Sequence, residues 1–138
     1  MSSALLDLTP FSRVLQRLAE GLARYQSGTG DTQIRDGLIQ RFEFTYEISH
    51  KMLKRYLESA SANRAAFDAM PFADLIRTGN EQGLLLGNWN DWKRYREMRS
   101  RTSHAYDEEV APGVVEGIPA FLAEAQFLLQ QLQGRTAE

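Results

Sequence analysis

Cysteine is missing from the sequence, so disulfides, thiolate zinc sites and cysteine nucleophiles are excluded. That fits a reducing compartment, and a cytoplasmic location is expected. Histidine is scarce as well. His50 and His104 stand far apart, with no His-Glu-x-x-His pattern or paired carboxylate spacing, so neither a metal site nor a cofactor is expected. The Gly-x-Ser-x-Gly elbow of serine hydrolases is absent. The glycine-rich stretch Ser27-Gly-Thr-Gly-Asp31 lacks the lysine of a phosphate loop and reads as a turn. The longest aliphatic run, Leu84–Leu86, is far short of a membrane span. The first residues carry neither a basic segment nor a long apolar core, so no signal peptide is expected. Nor does one sign of charge dominate. A net charge of −2 and a pI near 5.7 argue against coating nucleic acid by bulk charge, while leaving room for a local basic site.

What is present is a helical pattern. The chain, 43% hydrophobic and 25% charged, is long enough for one domain over residues 1–138 with a core of its own. Thr9-Pro10 predicts a helix start with Thr9 as cap, followed by Phe11, Val14, Leu15, Leu18, Leu22 and Tyr25 on one face. A long second helix is predicted from about Asp31, its cap, to about Leu57. Its apolar stripe runs through Ile34, Leu38, Phe42, Tyr46, Met52, Leu53, Tyr56 and Leu57. Phe44 and Ile48 widen the stripe, predicting neighbours on more than one side, and Gly37 predicts a local irregularity.

Residues 59–70 read as a connection, and Pro71–Ile76 as a short third helix closed by glycines 79, 83 and 87. Asn88 or Asn90 caps a fourth helix bearing Trp89, Trp92, Tyr95 and Met98. A last helix falls between Asp107 and Gln133, with Pro112 in its first turn and a kink expected at Pro119. No segment alternates with strand period, and no internal repeat is present. The predicted fold is all-α, an antiparallel bundle of about five helices.

The chemistry concentrates between Trp89 and Glu109. Lys93, Arg94, Arg96, Arg99 and Arg101 interleave with Trp92 and Tyr95, a combination that can hold phosphates and stack bases. The alternative is a solvated basic face opposite a packed aromatic one. Residues seven apart share a stripe, so Trp92, Arg99 and Tyr106 align if the helix continues that far. His104, five residues after Arg99, lies about 140° away on a straight helix. Either the helix ends near Ser103 and the backbone turns His104 back, or a second subunit completes the site. Neutral imidazole can take a proton from a ribose 2′-hydroxyl while a guanidinium holds the charge building on the phosphorane, and that cleavage needs no metal.

Two segments carry a resemblance. Leu38–Leu57 (Leu-Ile-Gln-Arg-Phe-Glu-Phe-Thr-Tyr-Glu-Ile-Ser-His-Lys-Met-Leu-Lys-Arg-Tyr-Leu) and Met98–Glu109, containing Arg99-x4-His104-x-Tyr106, resemble the small helical HEPN proteins. The likeness, supported by Leu8-Thr-Pro10, is to the nucleotidyltransferase substrate-binding-protein type, encoded beside a minimal nucleotidyltransferase (MNT). It implies an antiparallel bundle, a homodimer whose motifs meet at a cleft, and one half of a toxin–antitoxin pair. The HEPN member would be a metal-independent ribonuclease acting on RNA through Arg99 and His104. The MNT antitoxin would neutralise it by transferring AMP to Tyr106. The alternative function is a non-catalytic substrate-binding subunit of a two-component nucleotidyltransferase. The chain lacks the Gly-Ser and Asp-x-Asp elements of the transferase itself. It departs from the family pattern at Ser100, where Asn or another polar group is common, and at His50, where Trp is usual. Ser100, Glu43 and Glu47 are candidate supporting residues, and Lys93, Arg94, Arg96 and Arg101 candidate RNA contacts.

Overall fold

In a computed structural model that describes residues 6–136, the chain forms five α-helices and two short 3-10 turns, with no strand among the described residues. The helices are α1 (Thr9–Gln26), α2 (Thr32–Ser59), α3 (Phe72–Glu81), α4 (Trp89–Arg101) and α5 (Ala111–Thr136). The 3-10 turns cover Arg64–Phe67 and Thr102–His104.

Caps and stripes explain most of these limits. Asp31 accepts from the amides of Gln33 and Ile34 and starts α2. Asn88 and Asp91 form a reciprocal capping box at the head of α4. At α1 the expectation of a Thr9 cap is overturned: Thr9 lies inside the helix behind Leu8, and its own amide donates to Asp7 Oδ1 at 3.0 Å. Pro10 still occupies the first turn, where its missing N–H costs nothing.

α1 and α2 pack antiparallel. The Arg41 guanidinium reaches the Arg17 carbonyl at 2.8 Å, while one turn later in α1 and one turn earlier in α2 Gly21 faces Leu38. α5 lies against α4 in the same sense, with Gly117 beside Met98 and Phe121 beside Tyr95. A Cβ at Gly117 would stand 2.5 Å from Met98 Sδ, so this glycine sets how closely the two helices approach. Between the helices sits an aromatic cluster of Phe42, Tyr46, Trp92, Tyr95 and Phe121, all buried. Trp92 stacks edge-on against both Tyr95 and Phe121.

Several expectations change. α3 runs on through Gly79 to Glu81 because that glycine packs against Leu53 and Leu85, leaving the chain to turn at Gly83 with φ 75°. Of the Leu84–Leu86 run, Leu84 and Leu85 are buried and Leu86 is exposed. Phe67 anchors the 59–70 connection to the core. Single helices span Gly37 and the exposed Pro119, as the sequence predicts. Phe44 does not widen the buried face of α2: it is 55% exposed, one position off the inward stripe. The last helix begins at Ala111, since residues 105–110 are turns.

A buried carboxylate ties the head of α4 to α5. Glu124 accepts from the amides of Leu86 at 2.8 Å and Gly87 at 2.7 Å. Burial raises its pKa above the usual carboxylate range, against the opposing pull of those two amides. The nearby Trp92 indole N–H also lowers that pKa, yet misses hydrogen-bond geometry and stays without a partner.

Candidate active site at the end of α4

α4 stops at Arg101 because its last turn tightens into the 3-10 turn Thr102–His104, whose Thr102 hydroxyl takes up the Arg99 carbonyl at 2.6 Å. The stripe Trp92–Arg99–Tyr106 is therefore broken after Arg99. Tyr106 lies beyond the helix, and the seven-residue rule no longer applies to it.

Arg99 is held from two sides. Its Nε donates to Glu47 Oε2 at 2.8 Å, and its Nη1 donates to Glu43 Oε2 at 3.3 Å and Thr102 Oγ1 at 3.1 Å. Thr102 Oγ1 stands 2.7 Å from the same Glu43 oxygen, which competes with the Arg99 carbonyl for its one hydroxyl proton. Glu43 and Glu47 are one turn apart on α2, so both carboxylates meet α4 together. The Arg99 side chain is one-third exposed, its guanidinium fixed in direction by these partners. Thr102, a buried hydroxyl central to this clamp, was not singled out from the sequence; its place three residues after Arg99 on a helix end was the available signal.

His104 and Tyr106 are different. His104 is exposed, and among the described residues its ring enters no hydrogen bond or ion pair. Tyr106 is 79% exposed. It lines an open groove of about 590 Å³ with Thr102, Ala105 and, from α2, Asp36, Gln40 and Glu43. Ser100 is exposed, and its carbonyl accepts from Ser103 Oγ at 3.3 Å.

The basic residues do not form one patch. Arg94 and Arg101, seven apart, share a groove of about 410 Å³ between α4 and α5 with Glu97 and Glu116. Arg96 lies on the other side, over the Phe72 ring at 5.3 Å. Lys93 is exposed between them. Tyr95 and Trp92 are buried in the core and offer no base-stacking surface.

His50 sits half-buried, edge-on to Phe72 with ring centroids 4.8 Å apart. Burial is the main cause that lowers its pKa, with Lys54 and Arg96 adding to it against Glu47. It therefore packs as a core aromatic beneath the site.

A second charged pair lies beyond the motif. Arg35, near the start of α2, grips Glu108 with both terminal nitrogens, at 2.8 and 3.1 Å, and bonds Asp36 through Nε at 3.2 Å. The sequence did carry a signal for it: Arg35 falls on the inward period of Leu38, Phe42 and Thr45, where an arginine needs a partner.

Comparison with known proteins places the fold and the family. The family model described as "Nucleotidyltransferase substrate binding protein like" matches residues 6–134. A Haemophilus influenzae protein named "Probable ribonuclease HepT" is 46% identical over 99 residues, covering 72% of this chain and 67% of that protein. A solved structure from the same organism, HI0074, superposes with a TM-score of 0.86 at 34% identity, over 92% of this chain and 99% of the other. Its description is the fold of a substrate-binding domain of a nucleotidyltransferase.

Proposed function

This chain belongs to the nucleotidyltransferase substrate-binding-protein-like family, and from that membership we propose that it is the HEPN half of a HEPN/MNT toxin–antitoxin pair. Residues 1–138 act as one HEPN-like helical domain, a metal-independent ribonuclease. The observation that carries the reading is the Arg99 clamp: Glu43, Glu47 and Thr102 fix an arginine beside the turn that exposes His104 and Tyr106. His104 takes the proton of a ribose 2′-hydroxyl, and that oxygen attacks the adjacent phosphorus. The bond to the 5′-oxygen breaks, and His104 returns the proton to the leaving oxygen. Arg99 holds the charge on the phosphorane. Lys93, Arg94, Arg96 and Arg101 contact the RNA backbone on either side of α4.

A homodimer brings two such turns to a shared cleft. An MNT partner switches the site off by transferring AMP from ATP to the exposed Tyr106: the phenol oxygen bonds to the α-phosphorus, its proton is lost, and pyrophosphate leaves.

Purified protein is expected to cut RNA in the presence of a chelator, and His104→Ala to abolish cleavage while the dimer still folds. An alanine variant that cuts and inhibits growth as the wild type does overturns the assignment. Co-expression with the partner transferase should add the mass of AMP at Tyr106.

A second reading is a substrate-binding subunit without catalysis. It is favoured by the neutralisation of Arg99 by two carboxylates, which leaves the guanidinium less free to meet a phosphate. Intact RNA together with tight binding to the transferase would favour it.

A further inference from the structure

Residues 105–110 carry Tyr106 and follow His104 directly, yet their backbone bonds are all local. Ala105 donates to Thr102 at 3.1 Å, Asp107 to His104 at 2.9 Å, and Val110 to Asp107 at 3.0 Å. Glu109 donates to the Asp107 side chain at 2.8 Å. Such a chain of turns fixes its internal shape; Ala105 and Val110 seat its two ends against the core, while the exposed stretch from Tyr106 to Glu109 gains no packing of its own. Among the described residues, the side-chain bond from this segment to a distant element is Glu108 to Arg35, 73 positions away in sequence.

The pair is built unlike an ordinary surface ion pair. Exposed pairs gain little because two long side chains must be ordered in water. Here the Arg35 side chain is only 10% exposed, its stem already immobilised by packing, while Glu108 is 71% exposed. Little further ordering is needed from the arginine, and the planar fork meets both carboxylate oxygens. Arg35 also retains Asp36 as a partner, so loss of Glu108 does not strand a buried charge. The bond holds Glu108 below its ordinary carboxylate pKa. The turn is thus pinned at both ends, by the Arg99–Thr102–Glu43 clamp before His104 and by the Arg35 fork after Tyr106.

We propose that Arg35 is a positioning residue for this site: through Glu108 it fixes the turn that presents His104 and Tyr106. This rests on the ribonuclease reading only for its effect on cleavage; the pinning of the turn stands apart from it.

The test uses the full-length protein and three forms: Glu108→Gln, Arg35→Lys, and the reversed pair Arg35→Glu with Glu108→Arg. Amide hydrogen exchange at Ala105, Asp107 and Val110 is expected to rise about fivefold or more in Glu108→Gln, with the α1–α2 amides and Tm unchanged. Arg35→Lys, which cannot make the fork, should show an intermediate rise. The reversed pair should recover part of the protection. Cleavage in Glu108→Gln should fall in kcat with KM held, and Tyr106 adenylation by the partner should slow in parallel. Unchanged exchange in Glu108→Gln overturns the proposal, as does a rise spread over the whole bundle. Should the wild type leave RNA intact, the ribonuclease reading fails while the exchange experiment still decides the role of Arg35.

Discussion

The two ends of the motif make opposite uses of the fold. Arg99 lies on the last full turn of α4, and three side chains set its direction. His104 and Tyr106, a few residues later, sit on turns with both side chains exposed. An electrostatic group acts best when it is already oriented, because then nothing must reorganise as charge develops. A proton-transferring group and a modification target must instead be reached by another molecule. The contrast between a clamped arginine and a presented histidine and tyrosine therefore follows the division of labour proposed for them.

The largest disturbance comes from removing the floor beneath both ends. Trp92→Ala empties the centre of the aromatic cluster and should cost about 3–5 kcal/mol, read by denaturant unfolding. It should loosen the clamp and the turn together, erasing the contrast.

Thr102→Val tests the clamp alone. The variant keeps the buried shape but removes the hydroxyl between Glu43 and Arg99, at a stability cost of about 1 kcal/mol. RNA cleavage should fall about tenfold through loss of Arg99 orientation, with His104 unaffected. Cleavage at the wild-type rate would show that the clamp is unneeded.

A smaller effect should follow pH. The His50 pKa is lowered from 6.5 in the folded chain, so the unfolded ring takes up a proton first. Stability is full above pH 6.5 and falls as pH drops below it, until the folded ring itself titrates. His50→Phe should flatten that decline, seen as a smaller change of Tm across the acidic range. An unaltered slope would remove His50 as its source.

Tyr106→Phe should change least in the fold, within about 0.5 kcal/mol, since the side chain is 79% exposed. It should nonetheless block AMP transfer completely, measured by intact mass. A modified Phe variant would move the acceptor elsewhere.

Much of the scaffold could be read from the chain because its causes are local. Asp31 and Asn88 cap helices through amides two or three residues away, and the α1 and α2 stripes repeat within single helices. Such signals fail where a distant neighbour intervenes. Phe44 fits a broad apolar stripe in sequence, yet among the described residues it stays exposed. Gly79 looks like a stop, but packing against Leu53 and Leu85 carries α3 past it. At the site, Glu43 and Glu47 share a face by helical period alone, while their meeting with Arg99 depends on how α2 crosses α4.

The sequence by itself determined a cysteine-free helical chain, the Asp31 cap of α2, a cap for α4 at Asn88 or Asn90, and the motif Arg99, His104 and Tyr106. Those features rest on bonds and periods spanning only a few residues. Only the tertiary structure decided that α4 ends at Arg101, that Thr102 closes the clamp, and that Arg35 grips Glu108. Each of these needs two elements far apart in sequence to arrive at one place. That is set by how the buried faces of α2, α4 and α5 pack around Trp92 and Phe121.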